Sequence, residues 1–390
     1  MDRHLAAAWF KTSLRPQGWA LPEVWDPLTG DYRTRDGWLR LHANAPHHRE
    51  RALAVLGCAN AREAVAAAMA GWSAEALEAA LVAAGGCAAR LRTLTEWQAH
   101  PQGQAVRGEP LIALDWTTAP GPHPWRPMPT RPLSGIRVLD LTRILAGPIA
   151  TRLLAGLGAE VLRLDPPGWE EPAQAPEVTL GKSCARLDLR RPADRLVFER
   201  LLAEADVLIH GYRADALARL GYGGTERRAL NPALIDVSLC AYGWSGPWAL
   251  RRGYDSLVQM SCGIAAAGRD WQQAEQPVPL PVQALDHATG YLMAAAVIRG
   301  LTGRLREGLV LRARLSLART ACLLTERPAI AREPLYSGVQ DADFDATPEP
   351  TAWGPALRLR PPLQIGDLRL YWERPATRLG SASAAWSPAG

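Results

Sequence analysis

No two of the six cysteines (Cys58, Cys87, Cys184, Cys240, Cys262, Cys322) are spaced as CxxC, and none falls in a zinc-ligand pattern. That excludes zinc ribbons and dithiol redox motifs, and it predicts reduced thiols in a cytoplasmic protein. His47 and His48 are adjacent rather than four apart, which is not metal-ligand spacing on a helix, so no metal site is expected. No apolar run reaches the roughly 18 residues a membrane-spanning helix requires; the longest, 291–298, stops at Arg299. The apolar stretch 5–10 ends at Lys11 without a small-residue cleavage site, so no signal peptide is expected. The glycine fingerprint G-x-G-x-x-G does not follow the first strand of the α/β part, which argues against a bound nicotinamide dinucleotide.

Lysine is also nearly missing. Of 44 basic residues only Lys11 and Lys182 are lysine. Such a bias follows from base composition, which makes Lys182 a candidate for a role needing a compact ammonium, against a plain surface lysine. The net charge of +5 is spread among interleaved acids and forms no basic stripe studded with aromatics, so no nucleic-acid partner is expected. A phosphate-bearing small ligand suits this charge equally well.

With 390 residues, 48% of them hydrophobic, the chain is long enough for two or three domains with real cores. After a lead-in over 1–30, the segment 32–42 reads as a β-hairpin turning at Asp36-Gly37. Helices follow at 49–56, 61–70 and 74–84, the last capped by Ser73 and ended by Gly85-Gly86. A fourth helical stretch, 95–104, is interrupted by Pro101. Together 31–116 form a small α+β domain. A proline-rich linker, 117–134, is extended because proline removes backbone donors.

From 135 to 330 strands and helices alternate. Val138-Leu139-Asp140-Leu141 and 159–164 read as strands around a helix that starts near Pro148, and further strands at 206–210 and 234–239 alternate with helices. This pattern predicts an α/β fold: a Rossmann-like parallel sheet with helices on both faces. Residues 331–390 read as an extended segment wrapped over the surface.

Two places carry candidate chemistry. Asp286 stands at the mouth of an apolar helix beginning near Tyr291. There the positive end of the helix macrodipole keeps a carboxylate ionised, and an ionised carboxylate can attack an activated acyl group; the other common use of such an aspartate is to cap its helix. In the first βα loop, Arg143, Ala146 and Gly147 offer a charge, a helix start and a close backbone approach to an anion. The alternative is a tight turn with a surface arginine.

In order along 132–305, several segments resemble the family III CoA-transferases, the group that includes formyl-CoA transferase, the carnitine CoA-transferase and α-methylacyl-CoA racemase. They are Pro132 to Pro148, Leu157 to Leu164, Gly181-Lys182-Ser183, Ala205 to Ile209, Asn231 to Ile235, Tyr242 to Trp248, Gly253-Tyr254-Asp255 and Asp286. More loosely, Asp36 to Leu41, Trp72 to Glu75 and His100 to Gly103 are similar to that family's small domain, which here precedes the nucleotide-fold half instead of following it. The glycine-rich segment that covers the acyl site in formyl-CoA transferase has no counterpart.

The resemblance implies an acyl-CoA:carboxylate CoA-transferase in which Asp286 forms an acyl-aspartyl anhydride. Arg143, Ala146, Gly147, Lys182, Tyr242 and Gly243 are the candidates to hold coenzyme A. Amides near Gly243–Gly246 or Gly290 are candidate oxyanion donors. The resemblance also implies CoA thioester as a substrate with no permanently bound cofactor, an acyl-CoA and a carboxylic acid as partners, and a homodimer. The racemase branch carries a histidine where Tyr254 stands, and a tyrosine is a poor base near neutral pH. His287 reads as a residue behind the site or on the surface. The alternatives are an acyl-CoA racemase or epimerase, and a CoA-binding homologue without catalysis.

Overall fold

The computed structural model describes residues 1–122, 124–326 and 338–388. A seven-stranded sheet runs, in spatial order, Ala113–Thr118, Leu309–Ser316, Ile235–Cys240, Val207–His210, Arg137–Leu141, Glu160–Asp165, Lys182–Arg186. Six strands are parallel, and Ala113–Thr118 is an antiparallel edge. Alternate residues of a strand point to opposite faces, and this sheet is apolar on both. Val138, Val161, Val207, Ile209 and Val237 pack on one side, in the core shared with residues of the helices Ala146–Gly156 and Ala284–Glu307. Leu139, Leu141, Leu162, Leu164 and Leu208 pack on the other, against residues of the helix Pro192–Ala203. Strands buried on both faces read as near-continuous aliphatic runs, which is why they were legible.

From Arg137–Leu141 the chain builds outward to Glu160–Asp165 and Lys182–Arg186, then returns to the other flank of Arg137–Leu141 with Val207–His210. The direction of strand order reverses between these two strands, and ligands of open parallel sheets bind in the crevice outside the carboxyl ends at such a point.

The smaller unit is a three-stranded antiparallel sheet, Gly30–Arg33, Trp38–Leu41 and Ala88–Arg90. It is covered by the helices Pro46–Leu56, Arg62–Ala70 and Ala74–Ala83 over its own core. Ser73 caps the third helix by accepting from the amide of Ala76. The single broken helix expected over 95–104 is two helices, Leu94–Ala99 and Pro101–Gly108. Thr93 and Glu96 close a capping box on the first, and Pro101 starts the second, where its missing N–H costs nothing.

Two expected boundaries shift. The strand Ala113–Thr118 belongs to the large sheet, so the small unit ends before it and the proline-rich segment follows a strand instead of opening at 117. The lead-in is not separate either: Leu14–Pro16 pairs with Gly354–Arg358, which pairs with Glu349–Thr351. Both ends of the chain thus share one small sheet. The boundary expected at 330/331 lies outside the described residues. No single helix among them is long and apolar enough to cross a membrane.

Candidate active site

Two cavities open at the carboxyl ends of the sheet and meet at the first βα loop. One, about 380 Å³, lies at the strand-order reversal and is lined by the loops after Arg137–Leu141 and Val207–His210, with Arg143, Ala146 and Gly147 on its wall. The other, about 840 Å³, lies between the N-terminal segment and residues 168–174. Among the described residues, Asp286 is the one carboxylate that lines both.

The helix carrying Asp286 starts earlier than its apolar run suggests, at Ala284 with Gln283 as its cap residue. Asp286 is therefore in the first turn and does not cap its own helix. The capping is done from another element. Asp255, first residue of the helix Asp255–Ser261, accepts a hydrogen bond from the backbone N–H of Asp286 (2.9 Å). Orphan amides of a helix start need such a partner. Gln259 fixes Asp255 from its own helix, donating to its carboxylate at 2.5 Å, and accepts from the Leu280 N–H at 2.7 Å. The segment leading into Asp286 is thereby tied to the helix that holds Asp255.

This arrangement leaves the Asp286 carboxylate with no hydrogen-bond donor among the described residues. Burial, and then the neighbouring charge of Asp255, push its pKa well above the usual carboxylate range. Burial also raises Asp255, to about 6, against the hydrogen bonds from Gln259 and the Asp286 and Leu285 amides. The helix macrodipole was expected to keep Asp286 ionised. It does not prevail here, because desolvation and a like charge nearby outweigh a terminal dipole worth about 0.3–1 kcal/mol. Both carboxyls thus hold their protons to higher pH than an ordinary aspartate.

The loop opposite Asp286 is held in an unusual shape. Ile144 has φ +67°, a conformation β-branched residues rarely adopt. Glu171 holds it there: one carboxylate oxygen accepts from the Ile144 N–H (2.7 Å) and the other from Arg163 (2.8 Å). Glycine is required at 147 because a Cβ would lie 2.3 Å from the Thr142 side chain. Gly290, one turn beyond Asp286, admits the Ala146 carbonyl where a Cβ would lie 2.4 Å away. The loop and the Asp286 helix are thus in backbone contact.

Arg143 stacks between Trp169 and Tyr212 and donates to the Tyr212 hydroxyl at 3.0 Å. The small cavity also contains Arg213, Arg251 and Arg252, which sequence reasoning missed. Their only signal was the Arg251-Arg252 pair just before Gly253. Burial, and then the charge of Arg213, lower the pKa of Arg252.

Three expected ligand-binding residues lie elsewhere. Lys182 lines neither cavity. It is fully buried and donates to Asp140 (3.1 Å), Thr151 (2.6 Å) and the Pro148 carbonyl (3.0 Å). Its ammonium braces the loop helix from behind and cannot reach a phosphate in solution. Tyr242 is buried, with its hydroxyl against Ser261. Gly243 is packed beside Val106 and Glu109. The amides of Trp244 and Ser245 are taken by one Glu109 oxygen, each at 2.8 Å, so they are not free oxyanion donors.

His287 is buried, not at the surface. It stacks on Phe10 at 4.6 Å, and burial drives its pKa down to about 3, so it is neutral near pH 7. Tyr254 stacks face to face on His42 at 3.8 Å and borders both cavities. Burial raises its pKa further, which makes it a still weaker base. The six cysteines are all free, and no group of three metal-ligating side chains occurs among the described residues.

A family model described as CoA-transferase family III matches residues 133–347. The chain is 35% identical over 194 residues to a probable fatty acyl-CoA transferase of Mycobacterium tuberculosis, covering 46% of this chain and 49% of that protein. It is 34% identical over 203 residues to a succinate–glutarate CoA-transferase of Agrobacterium fabrum, covering 46% and 50%. The chain thus spans about half the length of these curated relatives. Among solved structures, it is similar to the same mycobacterial protein (32% identity, 51% of this chain and 59% of that chain, TM-score 0.47). It is also similar to a CAIB/BAIF family protein from Brucella suis (28% identity, 50% and 56%, TM-score 0.45).

Proposed function

The chain belongs to CoA-transferase family III, and from that premise we propose that it moves CoA between an acyl thioester and a free carboxylic acid, with Asp286 as the nucleophile. The observation that carries this reading is the place of Asp286, on the shared wall of an arginine-bearing cavity and a larger one that has no arginine. A thioester whose CoA portion occupies the first and whose acyl portion occupies the second has its carbonyl carbon at that wall. Arg143, Arg213 and Arg252 are not ion-paired among the described residues, and they are available to phosphate oxygens. The backbone at Ala146–Gly147, the start of a helix, faces the same space.

In the proposed reaction, an Asp286 oxygen bonds to the thioester carbon, the C–S bond breaks, and CoA leaves as thiolate. The anhydride that results is attacked by the thiolate at the Asp286 carbonyl, which releases the donor acid and leaves CoA on the aspartate. The acceptor carboxylate then displaces the thiolate from Asp286, forming a second anhydride, and the thiolate attacks its acceptor-side carbonyl and breaks the C–O bond to Asp286. Asp286 is regenerated, and no net proton is consumed. Covalent attachment splits one hard exchange into easier steps. The high pKa of Asp286 supports a nucleophile that is strong once ionised, since a poorly solvated carboxylate is held at high energy until it bonds to carbon.

The test is trapping. After incubation with acyl-CoA thioesters and hydroxylamine, mass spectrometry should find a hydroxamate on the peptide 283–290. Asp286→Ala should abolish exchange while leaving CoA binding intact. Unchanged exchange in that variant rejects the assignment. Deuterium uptake at the α-carbon without CoA exchange would favour a racemase instead; Tyr254, a poor base here, speaks against it.

A further inference from the structure

The two cavities differ in charge as sharply as in size. The small cavity has four arginines on its wall: Arg143, Arg213, Arg251 and Arg252. The large one has none, although the chain contains 42 arginines. Its one Lys or Arg is Lys11, exposed at the rim. Glu23 and Glu50 stand exposed at the same rim, and Asp286 and Asp255 lie inside. The other acids on this wall are ion-paired from outside it: Asp26 with Arg49, Glu170 with Arg186, Glu171 with Arg163, and Glu177 with Arg152 and Arg358. No bidentate clamp for a second substrate carboxylate is present, and arginine is the side chain that supplies one.

The apolar lining has an independent signature. Leu21, Val24 and Trp25 are exposed at 37%, 44% and 38%, yet all three face the large cavity, together with Trp9 and Trp169. Large apolar side chains clustered in the open mark a binding surface. Except for Trp169, these residues precede the segment that the family model matches, 133–347, so the wall opposite the loop is supplied by this chain's own N-terminal part. A space of about 840 Å³ falls in the range that holds a drug-sized ligand and far exceeds the needs of a two-carbon acid.

We infer that the large cavity is the acyl chamber and selects a bulky, apolar monocarboxylic acyl group, such as an aromatic or polycyclic alkanoate, over short acids and over dicarboxylates. This rests on the proposed transferase reading. An apolar body fills the Trp9, Leu21, Val24 and Trp25 side, and its single carboxyl carbon sits at Asp286. A dicarboxylate would place its distal charge among apolar side chains and acids, with only the rim ammonium of Lys11 to pair it.

The test uses the purified full chain with three thioesters, naphthylacetyl-CoA, acetyl-CoA and glutaryl-CoA, each with its labelled free acid, so that exchange is measured on one acyl group at a time. Hydroxylamine trapping on Asp286 is run in parallel. The naphthylacetyl pair should exchange with kcat/KM at least about tenfold above the other two, the scale on which a shaped pocket discriminates. Val24→Arg, at an exposed position that does not threaten folding, should lower naphthylacetyl exchange and raise glutaryl exchange by supplying the missing cation. Glutaryl or acetyl exchange equal to or faster than naphthylacetyl, with Asp286 trapped, overturns the chamber assignment and leaves the transferase reading standing. No trapping with any thioester overturns both.

Discussion

At the scale of single residues, the site is governed by two neighbouring buried carboxyls, Asp286 and Asp255. Both carboxyls are held above their ordinary range, chiefly by burial. A nucleophilic carboxylate must be ionised, so exchange should rise with pH through the titration of the pair. Asp255→Asn removes the like charge that raises Asp286, and the acid limb of the pH–rate profile should move to lower pH. A limb that stays in place would show that Asp255 does not act on Asp286. The stability sign is opposite. An acid whose folded pKa is raised favours the fold at low pH and loses that contribution as pH rises past its unfolded value. The same variant should therefore melt higher than wild type at pH 7–8, with the gap closing toward pH 4. Lys182 is the converse case. Burial lowers its pKa, and Asp140 opposes that. Lys182→Met leaves Asp140 buried without its partner and should cost about 3–5 kcal/mol in denaturant unfolding. The double change with Asp140→Leu should recover much of it. The sequence singled Lys182 out correctly as unusual, but burial decided its use: rarity of a residue type says nothing of which way its side chain points.

At the scale of elements, the site is a contact between two helix starts. The Asp286 helix touches the loop helix through Gly290, and the loop is kept tight by Gly147. Gly290→Ala puts a methyl against the Ala146 carbonyl, and the helices must separate. Overpacking of this kind costs about 1–3 kcal/mol, and because Asp286 is one turn away, kcat should fall by more than the stability loss explains. Retained kcat in a folded variant would show that the carboxylate is positioned independently of this contact. The strands and the loop helix were readable because a buried parallel sheet imposes aliphatic runs. The start of the Asp286 helix was not, since 284–290 is polar and small and the element that caps it, Asp255, lies 31 residues earlier.

At the scale of the whole molecule, the two ends of the chain close over the α/β core. Ser13, Arg152 and Arg358 converge on Glu177, joining the lead-in, the loop helix and the C-terminal segment. Burial opposes ionisation of Glu177, but Arg152 and Arg358 prevail and hold its carboxyl down to about 2. A lowered carboxyl pKa contributes stability above the unfolded value and loses it as pH falls through the folded one. Glu177→Gln should therefore be less stable than wild type by about 3 kcal/mol at pH 7, with the difference vanishing as pH drops from the ordinary glutamate range toward 2. A pH-independent gap would show that the loss is in packing instead of charge. The same clasp places the N-terminal segment beside the large cavity, so weakening it should also weaken substrate discrimination.

The sequence by itself determined the layers. Near-continuous aliphatic strands are buried between two layers of helices, and the spacing of glycine and proline fixed where the first βα loop turns. It also pointed to Asp286, through its position at a helix mouth and its likeness to a family motif. What only the tertiary structure decided was which charges face open space. Asp286 meets Asp255, and Arg213 and Arg252 join Arg143, while Lys182 and Tyr242 turn inward, because these outcomes depend on segments far apart in the chain. Desolvation and Coulomb energy act through space, and a linear pattern carries no record of what lies across a cavity.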